Sequence, residues 1–260
     1  MAFLLQLPPP ISFLIVSAGA TFLTLSGLYF VRKKYSADVL KENHEVAAII
    51  FNAFGLFYGV MLAFVVFVTW SGYSDATKDL EMEANLADDL FHIAKAVPEP
   101  ARTTMENGLI EYINSVFGEL QRMSGGEIDI HSTGVMGELL TKFYQIDEQS
   151  FPNKQIYAEA FSRLNNLAEF RRLRIFTGND TVPSVVWLVL LVGAIFTVCF
   201  NYLFGMKNIR AQYLITATLT ITMSQILFLI YVLDHPFTGA SRISTEPLRQ
   251  VMEVMQKEKG

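Results

Sequence analysis

Four long stretches of the sequence contain no aspartate, glutamate, lysine or arginine and consist mainly of apolar residues. They cover residues 11–31, 46–70, 183–204 and 212–233. About 20 apolar residues in a helix cross the hydrocarbon core of a bilayer, and each stretch reaches that length. The sequence therefore predicts a polytopic membrane protein with four transmembrane helices.

The segment between the second and third apolar stretches, residues 72–182, is long enough to form a domain of its own. Its apolar residues recur at helical spacing, and no run alternates as a strand would. We therefore predict an all-α protein with an inserted helical soluble domain. Because the first helical stripe starts soon after the second span, we expect one long helix to leave the bilayer. Residues 1–71 would hold membrane helices 1 and 2, residues 183–233 helices 3 and 4, and residues 234–260 a turn and tail.

Composition and spacing disfavour several functional classes. The net charge of −5 disfavours nucleic acid as a partner. The single cysteine, Cys199, builds neither a disulfide nor a thiolate metal site within one chain. The four histidines are far apart, and no phosphate-binding or nucleophile motif is present. We expect no catalytic site, no metal and no cofactor, and hence no enzyme.

Acidic residues are concentrated in the predicted soluble domain. Residues 72–182 contain 18 acidic and 10 basic side chains, a net charge of −8. Asp75, Asp79 and Glu83 follow the second span at i, i+4 and i+8. Such a row is either a solvated helix face or, repeated around an axis of subunits, a vestibule that attracts cations.

The predicted spans lack the side chains on which many transport mechanisms depend. Apart from Cys199 and tyrosines, they contain no ionisable group. Proton-coupled transporters use intramembrane Asp, Glu or His, and voltage sensors use Arg. A pore lined by hydroxyls, backbone or an apolar constriction remains possible.

The second span contains two stripes that suggest association. Gly55, Gly59 and Ala63 recur every four residues and would let another helix approach closely. Asn52 precedes this row by about one turn and is the only amide in the span.

Phe57, Met61 and Phe64 fall on a separate face of the same helix at i, i+4 and i+7. In a ring of subunits this stripe would form an apolar pore neck. The alternative is that the three side chains pack against lipid or the protein core.

The fourth span has a row of hydroxyls at helical spacing, formed by Thr216, Thr220 and Ser224. Hydroxyls in a membrane helix often bond to their own backbone carbonyls, in which case they serve helix packing. The alternative is that they line a wet path.

The fourth span ends in a turn in which Pro236 and Gly239 stop the helix. Asp234 and His235 lie at the water boundary. We expect a structured turn that packs Phe237. The alternatives are a contact with a cation and a hydrolase built on Asp234 and His235.

Basic residues suggest an orientation. The short loops 32–45 and 205–211 contain six lysines and arginines in 21 residues, whereas the other side has six in about 57. The denser side is expected in the cytoplasm. This count places both termini and the 72–182 domain outside.

The order of these features resembles a known family, the bacterial bestrophin-like domain family, which is related to bestrophin ion channels. The resemblance is carried by a series of short matches spread over most of the chain: residues 52–55 through Phe64, Trp70, Glu83-Ala84 with Leu86 and Leu90, Arg171, Arg172, Arg174, Pro183, Trp187 and the turn 234–239.

The resemblance implies a pentamer around a central pore, with Phe57, Met61 and Phe64 at an apolar neck. The turn containing Pro236, Phe237 and Gly239 is similar to the Asn-Pro-Phe-Gly turn of bestrophins. No acidic run follows it here, so calcium control is not expected. Bestrophin topology would place the large domain in the cytosol, opposite to the basic-residue count.

Together, these features predict an oligomeric bestrophin-like ion channel in a bacterial inner membrane. Its partners would be the lipid bilayer, further copies of the chain and inorganic ions, with a preference for cations because the soluble domain is acidic. The alternative is a non-conducting membrane sensor or scaffold whose acidic domain binds a partner.

Overall fold

The computed structural model describes residues 2–36, 44–126, 133–206 and 208–259. In these ranges the chain forms helices and no strand, which confirms the all-α prediction. The α-helices are α1 (Ala2–Gln6), α2 (Pro9–Lys34), α3 (His44–Lys95), α4 (Ala101–Ser124), α5 (Thr133–Tyr144), α6 (Lys154–Asn179), α7 (Ser184–Leu203), α8 (Ile209–Leu233) and α9 (Glu246–Lys259). A short 3₁₀ turn at Glu148–Ser150 precedes α6.

Four helical segments are long and apolar enough to cross a membrane. Each of them overlaps one of the four predicted spans. The expectation of one long helix is confirmed, because α3 continues without a break for 52 residues. Lys41 and Lys207, which entered the count of basic residues, lie outside the described residues.

The chain divides into two compact units. The first, here called the membrane unit, comprises Phe3–Gly72 and Thr181–Asp234. The second, the helical unit, comprises Tyr73–Asp180 and His235–Gly260. The tail is therefore part of the helical unit, in which α9 buries one face of Leu248, Met252 and Met255.

In the membrane unit, small and hydroxyl side chains mediate the contact between α2 and α8. The hydroxyls of Thr24 and Thr220 are 3.0 Å apart, and those of Ser224 and Ser17 are 3.4 Å apart. Tyr202 on α7 donates a hydrogen bond of 2.6 Å to the carbonyl of Thr24. Such short side chains allow the helix backbones to approach closely in a bilayer.

The helical unit has one apolar core, built from the stripes that the sequence shows at helical spacing. Fully buried core residues from α3, α4, α5 and α6 include Leu80, Leu90, Phe91, Met105, Leu109, Ile113, Phe143, Leu164 and Leu167. Burial of these side chains stabilises the helices, since helices of this length gain most of their stability from packing.

Candidate pore helix and buried charge network

The membrane part of α3 has one face that packs within the chain. Tyr58, Leu62 and Val65 are buried on this face. The hydroxyl of Tyr58 donates a hydrogen bond of 2.7 Å to the carbonyl of Leu190 on α7. This face is therefore unavailable to a pore.

The opposite side of α3 is not covered by the described part of its own chain. Phe57 is 75% exposed and Phe64 is 66% exposed. Met61 lies at the border between the two faces, and it is partly buried against the cluster that contains Tyr58. Of the three predicted neck residues, two thus point away from the chain, and Met61 does so only in part.

The small-residue stripe lies on the other flank of this exposed side. Gly55, Gly59 and Ala63 are exposed, as is Asn52. A Cβ atom added at Gly55 or Gly59 would meet no described atom within 4 Å. Because successive helix residues are about 100° apart, Gly59 and Phe57 point in nearly opposite directions. The uncovered side of α3 therefore has an aromatic flank and a small-residue flank.

The hydroxyl row of α8 is buried inside the membrane unit. Thr216 is 0% exposed, Thr220 4% and Ser224 8%. Thr220 donates to the carbonyl of Thr216 at 2.8 Å, and Asn201 of α7 donates to the Thr216 hydroxyl at 2.6 Å. In a single chain these side chains serve the packing of α8 against α2 and α7.

Asp234 ends α8 and has a structural contact inside the membrane unit. Its carboxylate accepts hydrogen bonds from the backbone N–H of Val182 at 2.7 Å and from the Trp187 indole at 3.4 Å. The carboxylate thus holds the start of α7. This use of Asp234 differs from that in the hydrolase hypothesis, in which it would orient His235.

The rest of the predicted turn belongs to the helical unit. Phe237 is 3% exposed and lies in the core of that unit, and Pro236 accepts a hydrogen bond of 2.8 Å from Ile243. Gly239 has a φ of 77°, which favours glycine, and its N–H donates to the carbonyl of Ser124 at 3.2 Å.

The three predicted vestibule acids do not share one environment. Asp75 is 58% exposed and pairs with Lys78. Asp79 is half-buried and accepts a hydrogen bond from Thr177. Glu83 is 0% exposed, so the prediction that it faces solvent is wrong. The physical reason is that an arginine on another helix compensates its buried charge.

Glu83 belongs to a buried network formed by α3, α4 and α6. Arg174 donates to Glu83 at 2.5 Å and to Glu119 at 2.8 Å, and Arg171 donates to Glu119 at 2.5 Å. The hydroxyl of Tyr112 donates a hydrogen bond to the carboxylate of Glu83. Two carboxylates and two guanidinium groups give no net charge, which is the condition under which charges are tolerated in a core.

The network fixes the ionisation of its members. Burial raises the pKa of Tyr112 well above its ordinary value, and the neighbouring Glu83 raises it further. Burial alone would lower the pKa of Arg174, but Glu83, Tyr112 and Glu119 together outweigh this effect and the pKa is raised. Tyr112 therefore stays protonated, and Arg174 stays charged.

The sequence contains a signal from which this network could have been predicted. Arg171 and Arg174 continue the buried stripe of Leu164 and Leu167, and Glu119 continues that of the α4 core residues. Charged residues in phase with an apolar stripe face the core, where they need partners of opposite charge.

Comparison with known proteins decides the family. A family model described as the Bestrophin-like domain matches residues 14–248. The chain belongs to this family. No curated protein matches the sequence significantly.

Solved structures of bacterial bestrophin homologues have the same fold as this bestrophin-like chain. A variant of the homologue from Klebsiella pneumoniae superimposes with a TM-score of 0.73 at 14% identity, over 94% of this chain and 99% of that chain. A second crystal structure of that homologue gives a TM-score of 0.71 at 14% identity, over 92% and 97% of the two chains. At this identity the match establishes the fold.

Proposed function

We propose that this bestrophin-like chain assembles into an oligomeric ion channel of a bacterial inner membrane, with α3 around the pore. The observation that carries the proposal is the uncovered side of α3, with its aromatic flank at Phe57 and Phe64. The small residues of the opposite flank, Gly55, Gly59 and Ala63, would admit a neighbouring helix. A pentamer is the assembly that the family resemblance implies.

The neck would act through dewetting. A ring of aromatic side chains at the axis presents no hydrogen-bonding group, so water and ions leave the constriction unless it widens. Phe57 and Phe64 are the main candidates, and Met61 would contribute at the border of the ring. The amide of Asn52 would lie on the small-residue flank of α3 and therefore not in the neck.

We further propose that the channel prefers cations. The acidic 72–182 segment, with a net charge of −8, would be repeated in every subunit and would raise the local cation concentration. Asp75 and Asp79 remain as the acids available for this role, because Glu83 is neutralised by Arg174.

Ion flux through liposomes containing the purified full chain tests the channel. Phe57→Ala combined with Phe64→Ala should raise the flux several-fold by widening and wetting the neck. Leu23→Ala is the matched control, because Leu23 is 71% exposed on α2 rather than on α3. Equal flux from the neck variant, the control and the unaltered protein contradicts the neck.

The alternative is a non-conducting sensor whose acidic domain binds a partner. Absence of flux from an oligomer with verified fold, together with specific capture of a protein by residues 72–182, would favour it.

An image of the assembly would identify the helix that faces the symmetry axis. Monomers, or an axis lined by a helix other than α3, would contradict the channel proposal.

A further inference from the structure

A groove runs between α2 and α8 on the surface of the membrane unit. Its volume is about 330 Å³. It is lined by Phe22, Leu25, Ser26, Tyr29, Phe30 and Tyr213. The walls are mainly apolar, and the two tyrosine hydroxyls and Ser26 are the polar groups. Both helices are long and apolar enough to cross a membrane, so the groove lies at the depth of the bilayer.

Positive charge lies beyond one end of the groove. Lys33 follows Tyr29 by four residues on α2, and Arg210 precedes Tyr213 by three on α8, so each basic residue is about one helical turn from a groove tyrosine. Both are exposed and form no ion pair with any residue in the described ranges.

The ends of the two helices are held together on this side. Arg32 donates a hydrogen bond of 3.2 Å to the carbonyl of Met206, just before α8. A second guanidinium nitrogen of Arg32, Nη1, is buried without a hydrogen-bond partner among the described residues. Arg32, Lys33 and Arg210 therefore lie at the adjoining ends of α2 and α8, each within about one helical turn of a groove tyrosine in sequence.

We infer that this groove binds an anionic phospholipid. One acyl chain lies along Phe22, Leu25 and Phe30, and the headgroup phosphate is bound by Lys33 and Arg210. Basic pockets between membrane helices are the usual place for anionic headgroups. Tyrosines at this depth are amphipathic and suit the glycerol region of a lipid.

Charge complementarity favours a lipid over a second copy of the chain. Within the described residues, the membrane unit contains two acidic side chains, Glu45 and Asp234. Asp234 is already hydrogen-bonded to Val182. Over its full sequence the membrane unit contains six basic and four acidic side chains, a net charge of +2, so it repels a second membrane unit and attracts phosphatidylglycerol, which carries one negative charge. The inference is independent of whether the protein conducts ions.

Binding of labelled phosphatidylglycerol and phosphatidylcholine to the full chain in a neutral detergent tests the inference. Lys33→Gln with Arg210→Gln should weaken phosphatidylglycerol binding about 30-fold, from roughly fivefold for each charge, and leave phosphatidylcholine binding unchanged. The matched control, Lys154→Gln with Lys257→Gln, removes two exposed charges from the helical unit and should change binding less than twofold. Unchanged thermal unfolding verifies that each variant is folded.

A groove-filling variant separates the lipid from a free anion. Ser26→Trp should weaken binding of phosphatidylglycerol, because the indole occupies the acyl-chain groove. Effective competition by inorganic phosphate, equal affinity for phosphatidylcholine, or an equal loss in the control variant would each overturn the inference. So would a loss of oligomer in lipid-free Lys33→Gln/Arg210→Gln protein, since it would assign the surface to a second copy.

Discussion

Arg174 is fully buried and bonds to carboxylates from two other helices, so its removal leaves Glu83 charged and unpaired in the core. We expect Arg174→Gln to lower the free energy of unfolding by about 3–5 kcal/mol. Denaturant titration in detergent, followed by helical circular dichroism, measures the change. Lys78→Gln, which removes an exposed pair with Asp75, should cost less than about 1 kcal/mol. Equal effects of the two substitutions would show that the network does not hold the unit together.

Titration of the Asp79 carboxyl should make the free energy of unfolding of the protein depend on pH. Burial raises the pKa of its carboxyl, Asp75 and Glu83 add to the rise, and the hydrogen bond from Thr177 offsets part of it. The folded state therefore holds this proton more tightly than the unfolded state, and the contribution of Asp79 to stability falls as pH rises through the raised pKa.

Asp79→Asn removes that penalty while it keeps an oxygen to accept the bond from Thr177. The variant should have a higher Tm than the unaltered protein at pH 7. The difference should disappear below the ordinary pKa of 3.8, where both chains carry a neutral side chain. Thermal unfolding across this pH range measures it. A difference in Tm that is independent of pH contradicts the assignment.

Individual residue roles were the part of the site that the sequence predicted least well. Asp75, Asp79 and Glu83 have identical spacing, yet only Glu83 is fully buried. The reason is that Arg174, 91 positions away in sequence, donates a hydrogen bond to its carboxylate. Likewise, the spacing of Phe57, Met61 and Phe64 does not reveal that Met61 borders Tyr58. In each case burial depends on packing against another helix, which is α6 for Glu83 and α7 for the face of α3 that contains Tyr58.

At the scale of elements, one close helix contact should be sensitive to a single methyl group. A Cβ atom on Gly193 of α7 would overlap the ring of Tyr58 on α3. Gly193→Ala should therefore destabilise the protein by about 1–3 kcal/mol, in spite of the better helix propensity of alanine. Thermal unfolding of the full chain in detergent measures the loss.

Gly59→Ala is the informative counterpart, since a Cβ atom at Gly59 meets no atom of the described residues within 4 Å. It should leave the unfolding of the chain unchanged or slightly improve it, and should reduce the oligomeric fraction measured by light scattering. If Gly59→Ala leaves the oligomer intact, the small-residue flank is not a contact between subunits.

The helices themselves were largely predictable. Charge-free length identified all four spans, and apolar periodicity identified the helices of residues 72–182, because both patterns are local. The role of α9 was not predicted: its stripe of Leu248, Met252 and Met255 shows amphipathicity, but only the packed structure shows which unit it covers.

For the whole molecule, the basic-residue count and the family resemblance predict opposite orientations in the membrane. The count predicts that a cysteine at Ser124, in a Cys199→Ser background, reacts with an impermeant maleimide in intact cells. A cysteine at Ser36 should react only after the membrane is opened. The reverse pattern would show that bestrophin topology holds and that the count is wrong.

The sequence alone determined that this is an all-α membrane protein with four spans, a long helix leaving the bilayer and an acidic helical insertion. These properties depend on the length of apolar runs and on periodicity, which act between residues close in sequence. Tertiary structure decided which charges are buried, which hydroxyls pack, and which side of α3 remains uncovered. Those outcomes depend on contacts between helices far apart in sequence, where burial of a charge or an amide is tolerated only when a specific partner reaches it.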